Sequence, residues 1–249
     1  MLERISIEAV PNMPHIVVGD DIGEIIVDRS RVADFELKEY DILCIASKAV
    51  SSAEDNTVQL DAIESSEEAH KIQKRIPRKD VRVVQAIINA TGDSSGSRLE
   101  VKDNYVGGWL PNGLFLTSAG VDKIGSEELI FLPENADASA QAIGHKILEL
   151  TGVNVAIIIT DSDGRPDKRG STQLAIGIYG IPPLRVSEAE SEDGKMKRSE
   201  ETICDMLAAS AALLMGQRGA NKPVVCIRGV SYVFDKQAKI DDALNGNKL

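Results

Sequence analysis

Residues 154–170 read NVAIIITDSDGRPDKRG, and the opening NVAIIIT is the strongest unbroken apolar run of strand length in the chain. A short run of β-branched residues with no polar break predicts a strand buried on both faces, because neither face has to meet water. DILCIA (41–46) and PVVCIRG (223–229) read the same way, and LAIGIYG (174–180) adds another strand. Residues 4–10 alternate instead, with Ile5, Ile7 and Ala9 on one face, the pattern of a half-buried strand.

Helical patterns lie between these runs. Asp20 or Asp21 can cap a short helix carrying Ile22, Ile25 and Ile26. Ser65 followed by Glu68 has capping-box spacing, ahead of Ala69, Ile72 and Ile76. Asp80 can cap a helix with Val83, Val84, Ile87 and Ile88 on one face, with Gly92 near its end. Ile143, Ile147 and Leu150 mark a helix stopped by Gly152. Ser199 is expected to cap a last helix with Ile203, Met206, Leu207, Ala211 and Leu214 inward, and Glu200 and Glu201 would suit its dipole. RLEVKD (98–103) alternates as a strand, and Asn112-Gly113 predicts a type I′ hairpin. The charged stretch 187–200, SEAESEDGKMKRSE, reads as a solvated loop. Strands and helices alternate irregularly, so the class is α+β, with mixed sheets and packed helices. No repeat or clear linker divides the chain, so residues 1–249 read as one domain, with room for two lobes.

The 249 residues carry 28 Lys+Arg against 39 Asp+Glu, a net charge of −11, with 43% hydrophobic residues. That length can bury a core without staples. The acidity argues against nucleic acid and against an anionic membrane surface as partners. It does not exclude an anionic small ligand, since bound cations can invert the sign locally. Cys44, Cys204 and Cys226 each sit in an apolar stretch and read as small buried hydrophobes. The charges in MLERISIEAV leave no secretory signal and no apolar run reaches membrane-span length, so a cytoplasmic protein is expected.

Chemistry points to three places. Asp161-Ser162-Asp163-Gly164 follows the buried strand, where a carboxylate can either ligate a hard divalent cation or close an Asx turn. An EF-hand is excluded, because Arg165 stands at a ligand position and Thr172 replaces the closing Glu. Asp122 in SAGVDK (118–123) is a surface-turn acid on its own. Paired with Asp161, it could hold Mg²⁺ or Mn²⁺ whose other ligands are substrate phosphates. Arg165, Lys168 and Arg169 form a basic cluster suited to phosphate or carboxylate, or simply to solvent. P-loop, dinucleotide-binding, HExxH and GxSxG signatures are absent, and with only His15, His70 and His145 a histidine-based hydrolase or zinc site is disfavoured.

The chain resembles the coenzyme F420-0 gamma-glutamyl ligases. The matching pieces are MPHIVVGDD (13–21), SKAVSSAED (47–55), KDVRVVQAII (79–88), SAGVDK, ITDSDGRPDKRGSTQLAIG (159–177), DMLAASAALLMGQ (205–217) and PVVCIRG. The resemblance implies that family's fold and an intertwined homodimer. It also implies formation of an amide between L-glutamate and the F420-0 carboxylate, using GTP and Mg²⁺ or Mn²⁺, with K⁺ as an accompanying ion. Asp122 and Asp161 match the family's metal-binding aspartates, with Ser162 and Gln217 as further metal or nucleotide contacts. Met13, Pro14, His15, Ile16, Ser47, Lys48 and the turn Met215, Gly216, Gln217, Arg218, Gly219 match nucleotide-contacting stretches, as do Ser52 and Gly125.

Three departures stand out. Ser52 replaces a frequent lysine, and Ser118 and Gly125 replace two asparagines. Asp193-Gly194-Lys195 is a remnant of the family's usual 187–198 pattern. The expected reaction passes through an acyl phosphate, and Arg165 and Arg169 are expected to stabilise negative charge on phosphate or carboxylate. Two alternatives stay open: a paralogous ligase with another acid acceptor or with ATP, and a non-catalytic protein that sequesters a phosphorylated cofactor.

Overall fold

The computed structural model describes residues 4–33, 35–102, 105–192, 194–217 and 219–245. In chain order these form β1 (Ser6–Ala9), α1 (Ile22–Val32), β2 (Ile42–Ala46), α2 (Ser47–Ala53), β3 (Thr57–Gln59), α3 (Glu67–Gln73), α4 (Val81–Ala90) and β4 (Leu99–Lys102). There follow β5 (Tyr105–Trp109), β6 (Phe115–Thr117), β7 (Asp122–Ile124), β8 (Glu128–Ile130), α5 (Ala136–Thr151), β9 (Ala156–Gly164) and β10 (Ser171–Tyr179). The last elements are β11 (Arg185–Glu190), β12 (Met196–Glu201), α6 (Ile203–Met215) and β13 (Val224–Arg228). The fold is α+β, as the sequence leads one to expect.

The central sheet has the order β1-β13-β2-β9-β10, antiparallel throughout except for the parallel pair β2–β9. Side chains alternate across it. Leu43, Ile45, Ile157, Ile159 and Val224 face Ile26 and Val27 of α1 and Ala140, Ile143 and Ile147 of α5. Ile42, Cys44, Ile158, Val225 and Ile227 face Ile203, Leu207 and Ala211 of α6. Both faces being covered, the three central strands could be continuously apolar. A second core gathers Ala69, Ile72 and Ile76 with Val84, Ile87 and Ile88 against Val106, Val121 and Leu129 of the smaller sheets β4-β5-β6 and β3-β8-β7. All three cysteines are buried and free.

Asp21 caps α1 through Glu24 N, Asp80 caps α4 through Arg82 N, and Gly152 ends α5 at φ 74°. Several local expectations are corrected. Ser66, not Ser65, caps α3, through Ala69 N. The 110–114 connection is a three-residue loop: Gly113 N–H bonds Leu110 O, Leu110 N–H bonds Leu114 O, and only Gly113 has positive φ. Pro111 presets the first position of an ordinary type I turn, leaving Gly113 to take the left-handed place, so type I′ does not form.

The stretch 187–200 is not a loop but most of an exposed antiparallel ribbon, β11–β12, stitched by pairs such as Arg185–Glu201 at 2.9 Å. Ser199, Glu200 and Glu201 therefore lie in a strand. Thr202 stands at the start of α6, and Asp205 in its first turn accepts from Ala175 N at 2.9 Å. Asp193 lies outside the described residues.

Candidate functional site

Parallel pairing of β2 with β9 puts Ala46 opposite Thr160, so both strands deliver their next residue to one place. Those residues are Ser47, the first of α2, and Asp161. Ser47 Oγ donates to Asp161 Oδ1 at 2.7 Å. The strand β9 does not stop at Thr160 but runs on to Gly164, paired with β10, so Asp161 is a strand residue and not part of an Asx turn. It is only 7% exposed. Burial pushes its carboxyl up to about 6; the Ser47 hydroxyl opposes this, and the nearby charge of Asp122 adds to it.

Asp122 arrives from the other core. Thr117 at the end of β6 is tied to β9, its N–H donating to Asp163 Oδ1 at 2.8 Å and its hydroxyl to Gly164 O at 2.8 Å. The chain then makes a tight turn in which Ser118, Ala119 and Gly120 all have positive φ (54°, 48° and 73°), and Asp122 opens β7. A left-handed conformation costs a non-glycine residue about 1–2 kcal/mol, so two in succession at a strand junction mark stored strain. A Cβ at Gly120 would fall 2.4 Å from Leu132 Cδ1, so a side chain there would have to displace Leu132 as well as accept the positive φ. Lys48 Nζ lies 2.7 Å from Asp122 Oδ2.

These groups border a cavity of about 380 Å³. Of the residues singled out in the sequence, Met13, Pro14, His15, Ile16, Ser47, Lys48, Ser52, Asp122, Asp161, Ser162, Met215, Gly216, Gln217 and Gly219 all line it. Gly125 follows the lining residue Ile124 but does not itself line the cavity. Arg165 and Arg169 sit on the exposed β9–β10 turn, Arg165 within 3.3 Å of Asp167, and neither reaches the cavity. Arg218 lies outside the described residues.

Thr160, Gln173, Asn221 and Lys222 line the cavity and were missed. Gln173, buried opposite Ser162, accepts from the Thr160 hydroxyl. Gln173 follows Ser171 and Thr172 in the strand, so only its pairing with β9 shows it as a buried amide in need of a partner.

Among the described residues no three His, Cys, Asp or Glu side chains gather as a metal cluster. Two carboxylates still fit a divalent cation that keeps water and phosphate as its other ligands. Asp161 supports this fit, being a buried carboxylate whose charge burial opposes and a bound cation would compensate. A larger cavity of about 690 Å³ lies at the start of α5 and holds none of these residues. Its half-buried acid, Asp137, is already bonded by the N–H groups of Ile178 and Ile240, a structural role.

A buried carboxylate, a second acid bearing a lysine and a polar cleft at strand ends together describe an enzyme site for a charged small molecule. A family model described as F420-0:Gamma-glutamyl ligase matches residues 11–229. The chain is 35% identical to the coenzyme F420:L-glutamate ligase of Methanosarcina acetivorans over 94% of its length and 89% of that protein's. It is 35% identical to the protein of that name from Methanopyrus kandleri, over 94% and 91% respectively. With the one from Methanocaldococcus jannaschii it shares 34% identity over 85% and 84%. The protein is thus a ligase of the class that forms carbon–nitrogen bonds. It belongs to the F420-0:gamma-glutamyl ligase family. No helix among the described residues is long and apolar enough to cross a membrane.

Proposed function

We propose that this ligase joins L-glutamate to the carboxylate of F420-0 at the expense of GTP, in the cavity between Asp161, Asp122 and the 215–219 turn. The observation that carries the reading is the convergence of two carboxylates from separate cores on a cavity that also collects residues 13–16 and 215–217. A divalent cation, Mg²⁺ or Mn²⁺, held by Asp122 and Asp161 supplies charge neutralisation to the phosphate oxygens.

This chain's own groups do the rest. Ser47 favours the ionised form of Asp161 and orients it. Lys48 offers an ammonium beside Asp122 for a phosphate oxygen. Gly216, at φ 63°, lets the backbone approach a ligand closely. The F420-0 carboxylate oxygen attacks the γ-phosphorus, breaking its bond to the bridging oxygen and releasing GDP. The amine of L-glutamate then attacks the acyl carbon, inorganic phosphate leaves, and one proton is lost from nitrogen. For Arg165 and Arg169, on an exposed turn outside the cavity, a role towards a substrate carboxylate rests on their charge alone. The working unit in this proposal is a cytoplasmic homodimer.

Assaying Asp161→Asn for GDP release with F420-0, glutamate and Mn²⁺ tests this. At least a 100-fold loss is expected from removing a metal-binding carboxylate, and turnover like the parent's overturns the reading. A second reading, another nucleotide or acid acceptor, is favoured by one observation: Ser52 lines the cavity without a charge. Thermal shift with Mn²⁺ and GTP or ATP decides the nucleotide, because a ligand that binds only the folded state raises its stability.

A further inference from the structure

We infer that Lys79 is a positioning residue for Asp122, acting through Ser118 rather than by touching a ligand. Lys79 Nζ donates to Ser118 Oγ at 3.1 Å. Ser118 begins the turn of three left-handed residues that leads into Asp122, and with Ala119 it is buried, so no solvent contact stabilises the strained conformation. A strained turn persists only where its surroundings over-determine it. One end is fixed by the bonds of Thr117 to Asp163 and Gly164 of β9. Lys79 supplies the hold at Ser118 itself.

The lysine is in turn anchored. Its N–H bonds Ile76 O at 3.0 Å, and the next residue, Asp80, caps α4. The ammonium is thus built onto the second core, beside α4, and reaches across to the turn. Lys79 does not line the cavity, which separates it from Lys48. Its half-buried ammonium is pushed below the usual lysine range by burial and held up by the charge of Asp122, which places the two within electrostatic reach.

The inference rests on Asp122 helping to hold a divalent cation, and the sign of one effect separates positioning from charge alone. Removing a nearby positive charge without disturbing geometry should tighten cation binding. Removing a group that sets the carboxylate should weaken it, by about tenfold for a supporting partner of a metal ligand. The experiment is Mn²⁺ titration of the full chain without nucleotide, read by electron paramagnetic resonance, for the parent, Lys79→Gln, Lys79→Arg, Ser118→Ala and the double variant Lys79→Gln with Ser118→Ala.

About tenfold weaker binding is expected for Lys79→Gln and for Ser118→Ala, with Lys79→Arg close to the parent. The double variant should be no worse than either single one, since both remove the same bond. Unchanged or tighter binding in Lys79→Gln and Ser118→Ala, with the parent binding Mn²⁺ normally, overturns this inference alone. A parent that binds no Mn²⁺ overturns the reading of the site and the inference with it.

Discussion

The Ser47 hydroxyl donates to Asp161 Oδ1 at 2.7 Å across 114 residues of chain, and both side chains are buried. It is the one side-chain hydrogen bond that favours the ionised form of a carboxyl which burial otherwise opposes. Ser47→Ala should therefore push that carboxyl further above 6. Mn²⁺ binding at pH 6 should weaken by about tenfold, the usual loss for a partner of a metal ligand. The deficit should shrink at pH 8, where Asp161 is ionised in both proteins. A deficit independent of pH would show that Ser47 acts on shape alone.

Asp161→Asn should make the metal-free protein more stable while destroying activity. The folded-state value of about 6 lies above the ordinary 3.8, so the folded state binds this proton more tightly than the unfolded state does. The ionised group thus costs stability above pH 6, and the cost fades as pH falls from 6 towards 4. At pH 8 the gain is at most about 3 kcal/mol, since one unit corresponds to about 1.4 kcal/mol. Melting curves of parent and variant without metal should differ by several degrees at pH 8 and converge near pH 4.

Asp41, at the foot of β2, is 1% exposed and receives Arg228 of β13 through two bonds of 2.6 Å. Removing one partner leaves a charge in a site that cannot solvate it. Arg228→Met should destabilise the protein by about 3 kcal/mol, and Asp41→Asn combined with it should recover part of that loss. Urea denaturation of the two singles and the double reads the coupling, and simple additivity would exclude it.

Gly177 sits at the register shift in β10, where a Cβ would fall 2.4 Å from the carbonyl carbon of Ala136. Because the obstacle is backbone at the start of α5, no rotamer change relieves it. Gly177→Ala should cost roughly 1–3 kcal/mol, the range for overpacking. Gly113→Ala, in open space, should show only the smaller penalty of its positive φ. Equal midpoints in urea for the two variants would contradict the packing account.

The central strands were legible because burial on both faces writes itself as unbroken apolar runs, DILCIA and NVAIIIT among them. The β11–β12 ribbon was not, because nothing in it is buried. Its strands exist through cross-strand pairs such as Glu188 with Arg198, which need both strands to be seen together. That ribbon also displaced the expected cap at Ser199, since a residue cannot serve a strand and a helix start at once. At the site, Asp161 and Asp122 stood out as acids following apolar stretches, each open to a plain turn reading, and the likeness to a family then matched both to metal-binding aspartates. Thr160 and Gln173 explain each other only across the β9–β10 pairing, and Lys79 matters only through a turn 39 residues away.

The order β1-β13-β2-β9-β10 has a consequence for synthesis. The strand that joins β1 to β2 is β13, the last of those described to leave the ribosome. Until residue 228 has emerged, β1 has no neighbour and one edge of β2 lies open, with Leu43, Cys44 and Ile45 beside it. An open apolar edge is a template for pairing with other chains. The nascent protein thus keeps this apolar edge open until β13 emerges, and truncation before β13 should yield aggregates rather than a partial enzyme.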